Sequence, residues 1–128
     1  MNILLICKFN RFRSKIAEAF FKKHTNHNVK SAGIIKGPPI DNEFIQCAKK
    51  FGLELEKSFH TLHWNVLEWQ DIIIIVANNV PKELFEDVWL VKKIRVWKIP
   101  DTIGKENKIK VIKMIEERVK GFTELSDK

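Results

Sequence analysis

The sequence predicts a single α/β domain, with a parallel sheet of four strands carrying helices on both faces. Three observations lead there. The run Ile72-Ile73-Ile74-Ile75-Val76 has no polar alternation, the mark of a strand buried on both faces. A second apolar run, Ile3-Leu4-Leu5-Ile6, is followed by Lys15 to Phe21, where Ile16 and Phe20 stand four apart as on one helix face. Strand-like and helix-like segments then alternate along the chain, so right-handed crossovers would lay each strand parallel to its neighbours.

Taken in order, Asn2 to Ile6 reads as the first strand, followed by a loop and a helix to about His24. Thr25-Asn26-His27-Asn28 is rich in turn formers and ends that helix. Val29 to Gly33 reads as the second strand, and Lys36-Gly37-Pro38-Pro39 as a loop. Asp41 or Asn42 can cap a second helix to Phe51, with Phe44, Ile45, Ala48 and Phe51 on its apolar side and Gly52 as its C-terminal cap. Leu53 to His63 carries no clear period. Trp64 to Trp69 reads as a short helix and Asp71 to Val76 as the third strand. Asn78-Asn79-Val80-Pro81 reads as the start of another short helix, with an Asn cap and proline in its first turn. Ile94 to Ile99 is the fourth strand, Pro100 to Gly104 a loop, and Lys105 to about Lys120 the last helix. Its stripe of Ile109, Ile112, Ile115 and Val119 belongs to the core, and Glu124 to Lys128 is expected as a loose tail.

Composition narrows the function. A chain of 128 residues, 45% apolar and 30% charged, suits one core spanning 1–128 and is not a disordered composition. The longest apolar run, Ile72 to Ala77, is too short to span a bilayer, and no charged-then-apolar leader opens the chain. Cysteines at positions 7 and 47 make no disulfide framework, so the reducing cytoplasm is the expected compartment. The net charge of +7 would suit either nucleic acid or small anions. The lysines are interspersed with Asp and Glu rather than gathered in a basic block. The expectation is therefore a general attraction for anions, with no nucleic-acid or membrane partner and the oligomeric state left open.

Chemistry concentrates in Cys7-Lys8-Phe9-Asn10-Arg11-Phe12-Arg13-Ser14. Cys7 stands where a strand ends, and Arg13 and Ser14 where a helix begins. The backbone N–H groups between them can curl around a phosphate-like dianion, aided by the positive end of the helix. A thiolate there can attack phosphorus and form a covalent intermediate. Arg13 has a planar fork matched to two phosphoryl oxygens. Ser14 can donate to the sulfur, and Asn10 can hold a left-handed turn through local hydrogen bonds. The leaving oxygen needs a proton and the attacking water must lose one. Asp101, just past the fourth strand and at the same sheet edge as Cys7, is the candidate for both.

With Ala17-Glu18 beyond it, the segment Cys7 to Ser14 resembles the phosphate-binding loop of the low-molecular-weight protein tyrosine phosphatase family, which includes related arsenate reductases. Trp97-Lys98-Ile99-Pro100-Asp101 resembles the segment carrying that family's general acid. Ser31-Ala32-Gly33 is similar to its second-strand ending, where the serine helps to brace the phosphate loop. Gly37 with Pro38-Pro39 and Asp41, and Cys47 five residues before Gly52, also match. The resemblance implies a strand order of 2-1-3-4, which puts the first strand's loop at the switch point where such sheets bind ligands. It implies a phosphatase working through phosphocysteine, with no cofactor, on phosphotyrosine in proteins or on small phosphomonoesters. Cys7, Arg13 and Asp101 would be catalytic. Lys8, Phe9, Asn10, Arg11, Phe12, Arg13 and Ser14 would hold the phosphate, and Asn10, Ser14 and Ser31 would brace the loop.

The chain departs from the pattern at several points. Phe9 stands where glycine is usual, Phe12 where many members have a second cysteine, and Thr102 where proline follows the acid. A bracing histidine expected after the second helix is replaced, with Lys57 as its nearest substitute, and the chain has no tyrosine for an aromatic rim. Arsenate reduction is the near alternative, yet it usually needs resolving cysteines after the third strand, and residues 77 to 93 contain none. A non-catalytic phosphate- or phosphoprotein-binding domain is the third reading, kept open by Phe9. Cys47 reads as core. His24, His27, His60 and His63 lack the company of a metal site, so no metal is expected.

Overall fold

Residues 1–40, 42–56, 58–101 and 105–126 are described by a computed structural model. The elements follow as β1 (Asn2–Cys7), α1 (Arg13–His24), β2 (Asn28–Gly33), α2 (Asn42–Lys49), α3 (Trp64–Trp69), β3 (Ile72–Val76), α4 (Glu83–Glu86), β4 (Ile94–Trp97) and α5 (Lys105–Ser126). The strands form one parallel sheet in the order β2-β1-β3-β4, as expected. Chain order reverses at β1, whose Ile6 lies opposite both Ala32 and Ile75. The loop after β1 therefore opens at the switch point.

Burial explains why the two central strands carry apolar residues at every position after Asn2. Ile3, Leu5, Ile72, Ile74 and Val76 pack on one side with α1, α2 and α5. Leu4, Ile6, Ile73 and Ile75 pack on the other with Val80, Phe85 and the partly buried Val66 and Leu67. Each such side chain contributes roughly 1.5–3 kcal/mol when fully buried, so β1 and β3 form a stiff spine. α1 crosses that spine with Ile16, Ala17, Phe20 and Phe21 turned inward. It stops at Thr25, whose N–H and hydroxyl both donate to the Phe21 carbonyl. α2 buries Phe44, Cys47 and Ala48. It is closed by Gly52 at φ 72°, a left-handed position that glycine adopts without strain.

Several boundaries differ from the sequence expectation; α2, for one, ends at Lys49 rather than Phe51. The last helix does not fray at Lys120 but continues to Ser126. Phe122 is buried, packs edge-on against Phe21 with centroids 5.5 Å apart, and sits 5.0 Å beneath the Arg95 guanidinium. One aromatic residue past the expected end thus ties the final turns to the core; Asp127 and Lys128 lie outside the described residues. The fourth strand ends at Trp97 because Ile99 N–H turns back to the Trp97 carbonyl at 2.7 Å. α4 begins at Glu83 rather than at Asn78, with no side-chain cap, because the Asn79 amide is engaged elsewhere. The capping role expected of Asp41 falls outside the described residues. Among those residues, no helix is long and apolar enough to cross a membrane.

Phe122→Ala is expected to lower the stability by about 3–5 kcal/mol, read as a shift in the urea unfolding midpoint. A loss below about 1 kcal/mol would mean that the last turns of α5 do not dock, since surface changes cost that little.

Candidate active site

The loop from Cys7 to Ser14 is shaped by one asparagine. Asn10 is fully buried and has φ 54°, a left-handed conformation that asparagine tolerates better than most residues. Its side-chain amide donates to Ser14 Oγ at 2.8 Å, and its carbonyl oxygen accepts the His60 backbone N–H at 2.8 Å. Ser14 Oγ in turn lies 3.0 Å from Cys7 Sγ. A hydrogen-bonded chain therefore runs from the 60s segment through Asn10 and Ser14 to the sulfur at the end of β1.

β2 supports the loop through backbone proximity. A Cβ on Gly33 would stand 2.7 Å from the Phe9 carbonyl carbon and 2.8 Å from the Asn10 nitrogen, so only glycine lets the strand end this close. The N–H groups of Ile34 and Ile35 both donate to the Lys8 carbonyl, at 2.9 and 3.1 Å. Ser31, the serine that the resemblance has bracing the loop, reaches α1. Its hydroxyl donates to Glu18 Oε1 on α1 at 2.8 Å, so it fastens β2 to the helix that follows the loop.

Arg13 is buried at the first turn of α1 and is held by two long-range bonds. One terminal nitrogen donates to the Ile99 carbonyl at 3.0 Å, and the other to Asn79 Oδ1 at 3.0 Å. Two of its five N–H donors are spent on this positioning. Ile99 also brings the chain past β4 toward Asp101, an exposed residue at the same edge of the sheet. Cys7, Arg13 and Asp101 line one pocket of about 140 Å³, together with Phe9, Arg11, Phe12 and Phe44.

Arg11 donates Nε and Nη2 to the Pro39 carbonyl at 3.3 and 3.0 Å and lies 4.9 Å over the Phe44 ring. Phe12 stacks on Phe44 with centroids 4.8 Å apart, and the Lys8 ammonium sits 5.1 Å from the Phe9 ring. Four contributors were not anticipated: Asn79, the His60 N–H, the Ile99 carbonyl and Phe44 as a pocket wall. Of these only Asn79 had a visible signal, an amide just past the third strand at the sheet edge where Cys7 stands. Cys47 is buried on α2, and Lys57 and Thr102 lie outside the described residues. Among the described residues, no group of three His, Cys, Asp or Glu side chains could hold a metal, and His60 and His63 are exposed.

Directly behind the loop, Lys15 is buried, and its ammonium nitrogen has no hydrogen-bond partner. Burial pushes its pKa below the ordinary 10.5, against the opposing pull of Glu18, Glu56 and Cys7. The unfolded chain then holds this proton more readily than the folded one. The resulting penalty is fully present below the lowered pKa and vanishes as pH rises past 10.5. Lys15→Met should therefore raise the urea midpoint at pH 7, with the gain shrinking as the pH climbs through that window. A gain that is absent at pH 7, or constant with pH, would contradict this account of the buried amine.

The chain is similar to known proteins in family and in fold. The family described as Low molecular weight phosphotyrosine protein phosphatase matches residues 2–128. No curated protein matches the sequence. Among solved structures, a low molecular weight phosphotyrosine phosphatase from Vibrio cholerae O395 superposes with a TM-score of 0.85 at 18% identity, covering 100% of this chain and 97% of the other. The YwlE arginine phosphatase from Geobacillus stearothermophilus gives 0.84 at 19% identity, covering 98% and 92%. An arsenate reductase from Archaeoglobus fulgidus DSM 4304 gives 0.73 at 24% identity, covering 94% and 97%. These structures share the fold of this chain.

Proposed function

The chain belongs to the low molecular weight phosphotyrosine protein phosphatase family, and on that premise we propose that it hydrolyses phosphomonoesters through a phosphocysteine intermediate. The observation that carries this reading is the convergence of Cys7, Arg13 and Asp101 on one pocket, above a loop whose shape Asn10 holds. The backbone N–H groups of Lys8 to Ser14, with the Arg13 fork, receive the phosphoryl oxygens. The Cys7 thiolate attacks phosphorus in line, forming the S–P bond as the P–O bond to the leaving group breaks. Asp101 in its acid form gives its proton to the departing oxygen. The resulting carboxylate then takes a proton from water, whose oxygen attacks phosphorus and releases inorganic phosphate and the Cys7 thiolate. Ser14, 3.0 Å from the sulfur, donates a hydrogen bond that stabilises the leaving thiolate in this second step.

Solved structures of this fold include a phosphotyrosine phosphatase, an arginine phosphatase and an arsenate reductase, so substrate choice rests on side chains. Three phenyl rings, Phe9, Phe12 and Phe44, line the pocket and favour an aryl leaving group, as in phosphotyrosine or small aryl phosphates. Arsenate reduction lacks support, because the second cysteine, Cys47, is buried in α2. The substitution at Phe9 no longer argues for a non-catalytic domain, because the ring is accommodated beside the loop and leaves Cys7 lining the pocket.

Cys7→Ser should abolish turnover of p-nitrophenyl phosphate while binding of inorganic phosphate persists, since backbone N–H groups and Arg13 supply most of the anion binding. Undiminished hydrolysis by that variant would overturn the covalent route. Asp101→Asn should slow phenyl and alkyl phosphates by about a hundred- to ten-thousandfold, and activated nitrophenyl phosphate much less. The check is a series of aryl phosphates with leaving groups of graded pKa. Equal losses across the series would give Asp101 a structural role only.

A further inference from the structure

We propose that Phe9 is a specificity-determining residue, seated by Gly37 so that its ring forms an aromatic wall of the phosphate pocket. The inference rests on the phosphate-binding reading of the loop and goes beyond it, because it assigns leaving-group selection to the pair formed by Phe9 and Gly37. A Cβ built on Gly37 would stand 2.7 Å from Phe9 Cβ, Cγ and Cδ1 alike. Cβ atoms do not approach so closely, so the ring occupies its place only because residue 37 has no side chain. The base of the ring is in conflict as well as its edge, so rotation about the side-chain bonds alone would not relieve the clash. The loop from Lys36 to Pro39 is in turn fastened to the phosphate loop by Arg11, which donates twice to the Pro39 carbonyl. The Lys8 ammonium, 5.1 Å from the ring centroid, adds a cation–π contact.

Seated in this way, Phe9 joins Phe12 and Phe44 around Cys7 and Arg13. A flat aryl group on phosphorus meets a ring face or edge there, whereas a methyl group is too small to do so. Phe9 and Gly37 form one unit. Enlarging residue 37 displaces the wall, and deleting the wall leaves residue 37 free to vary.

The test compares binding of phenylphosphonate and methylphosphonate by calorimetry, each relative to inorganic phosphate, in the parent, Phe9→Gly, Gly37→Ala and the double variant. Neither phosphonate can be hydrolysed, so the readout does not depend on turnover. The preference for phenylphosphonate should fall about two- to tenfold in Phe9→Gly, the range of one aromatic contact. It should fall by a similar factor in Gly37→Ala. Adding Gly37→Ala to Phe9→Gly should cause no further loss, because coupled residues are not additive. Phe9→Leu, which keeps bulk without the ring, guards against a loop disturbed by the added glycine, and it should lose most of the same preference. The proposal is overturned by an unchanged preference in Phe9→Gly and Phe9→Leu, by additive losses in the double variant, or by a parent that binds neither phosphonate. Failure of the phosphatase reading would register separately, as phosphonate binding by a parent that does not hydrolyse aryl phosphates.

Discussion

Everything at the candidate site depends on one buried asparagine. Asn10 takes a left-handed backbone conformation and spends both ends of its amide to keep it, one on Ser14 and the other on the backbone of His60. Each bond contributes only about 0.5–1.5 kcal/mol net, but an unsatisfied buried partner costs more than that. The conformation is therefore held by what its loss would leave exposed. The result is a loop whose cysteine sulfur lies 3.0 Å from the hydroxyl that Asn10 positions.

The sheet serves this loop. β1 and β3 are buried on both faces, so the end of β1 is a rigid point from which Cys7 projects. Parallel pairing brings the ends of β2, β3 and β4 to the same edge. Each contributes there: Gly33 by close approach, Asn79 by its amide, and Ile99 by its carbonyl. Arg13 is thus held by residues 66 and 86 positions away in sequence, which converts a flexible side chain into a fixed fork. A pre-positioned fork loses little freedom when it meets a dianion.

Much of this was legible in the chain. The isoleucine run of β3 has no polar alternation, so a buried parallel strand followed from composition alone. Cys7, Arg13 and Ser14 could be placed because a strand ends and a helix begins around them. The less legible parts share one physical character: they are contacts made by groups that every sequence carries, or by side chains with a nearer alternative use. The His60 N–H and the Ile99 carbonyl are backbone groups with no residue-type signal. Asn79 reads locally as a helix cap, and only the folded edge of the sheet redirects it to Arg13. Phe122 follows a plausible helix end, and its burial depends on Phe21 and Arg95 from elsewhere in the chain. Ser31 matched a family position in sequence, but its hydroxyl meets Glu18.

The account turns on a covalent bond between Cys7 and phosphorus. Rapid mixing of the protein with p-nitrophenyl phosphate, followed within milliseconds by acid quench and mass spectrometry of the Cys7 peptide, tests it most directly. The predicted result is a phosphoryl group on the Cys7 sulfur, appearing with a burst of nitrophenolate that approaches one equivalent per protein when dephosphorylation is the slower step. Steady turnover that remained cysteine-dependent, with neither a burst nor a phosphorylated Cys7 at any quench time in any substrate of the aryl series, would contradict it.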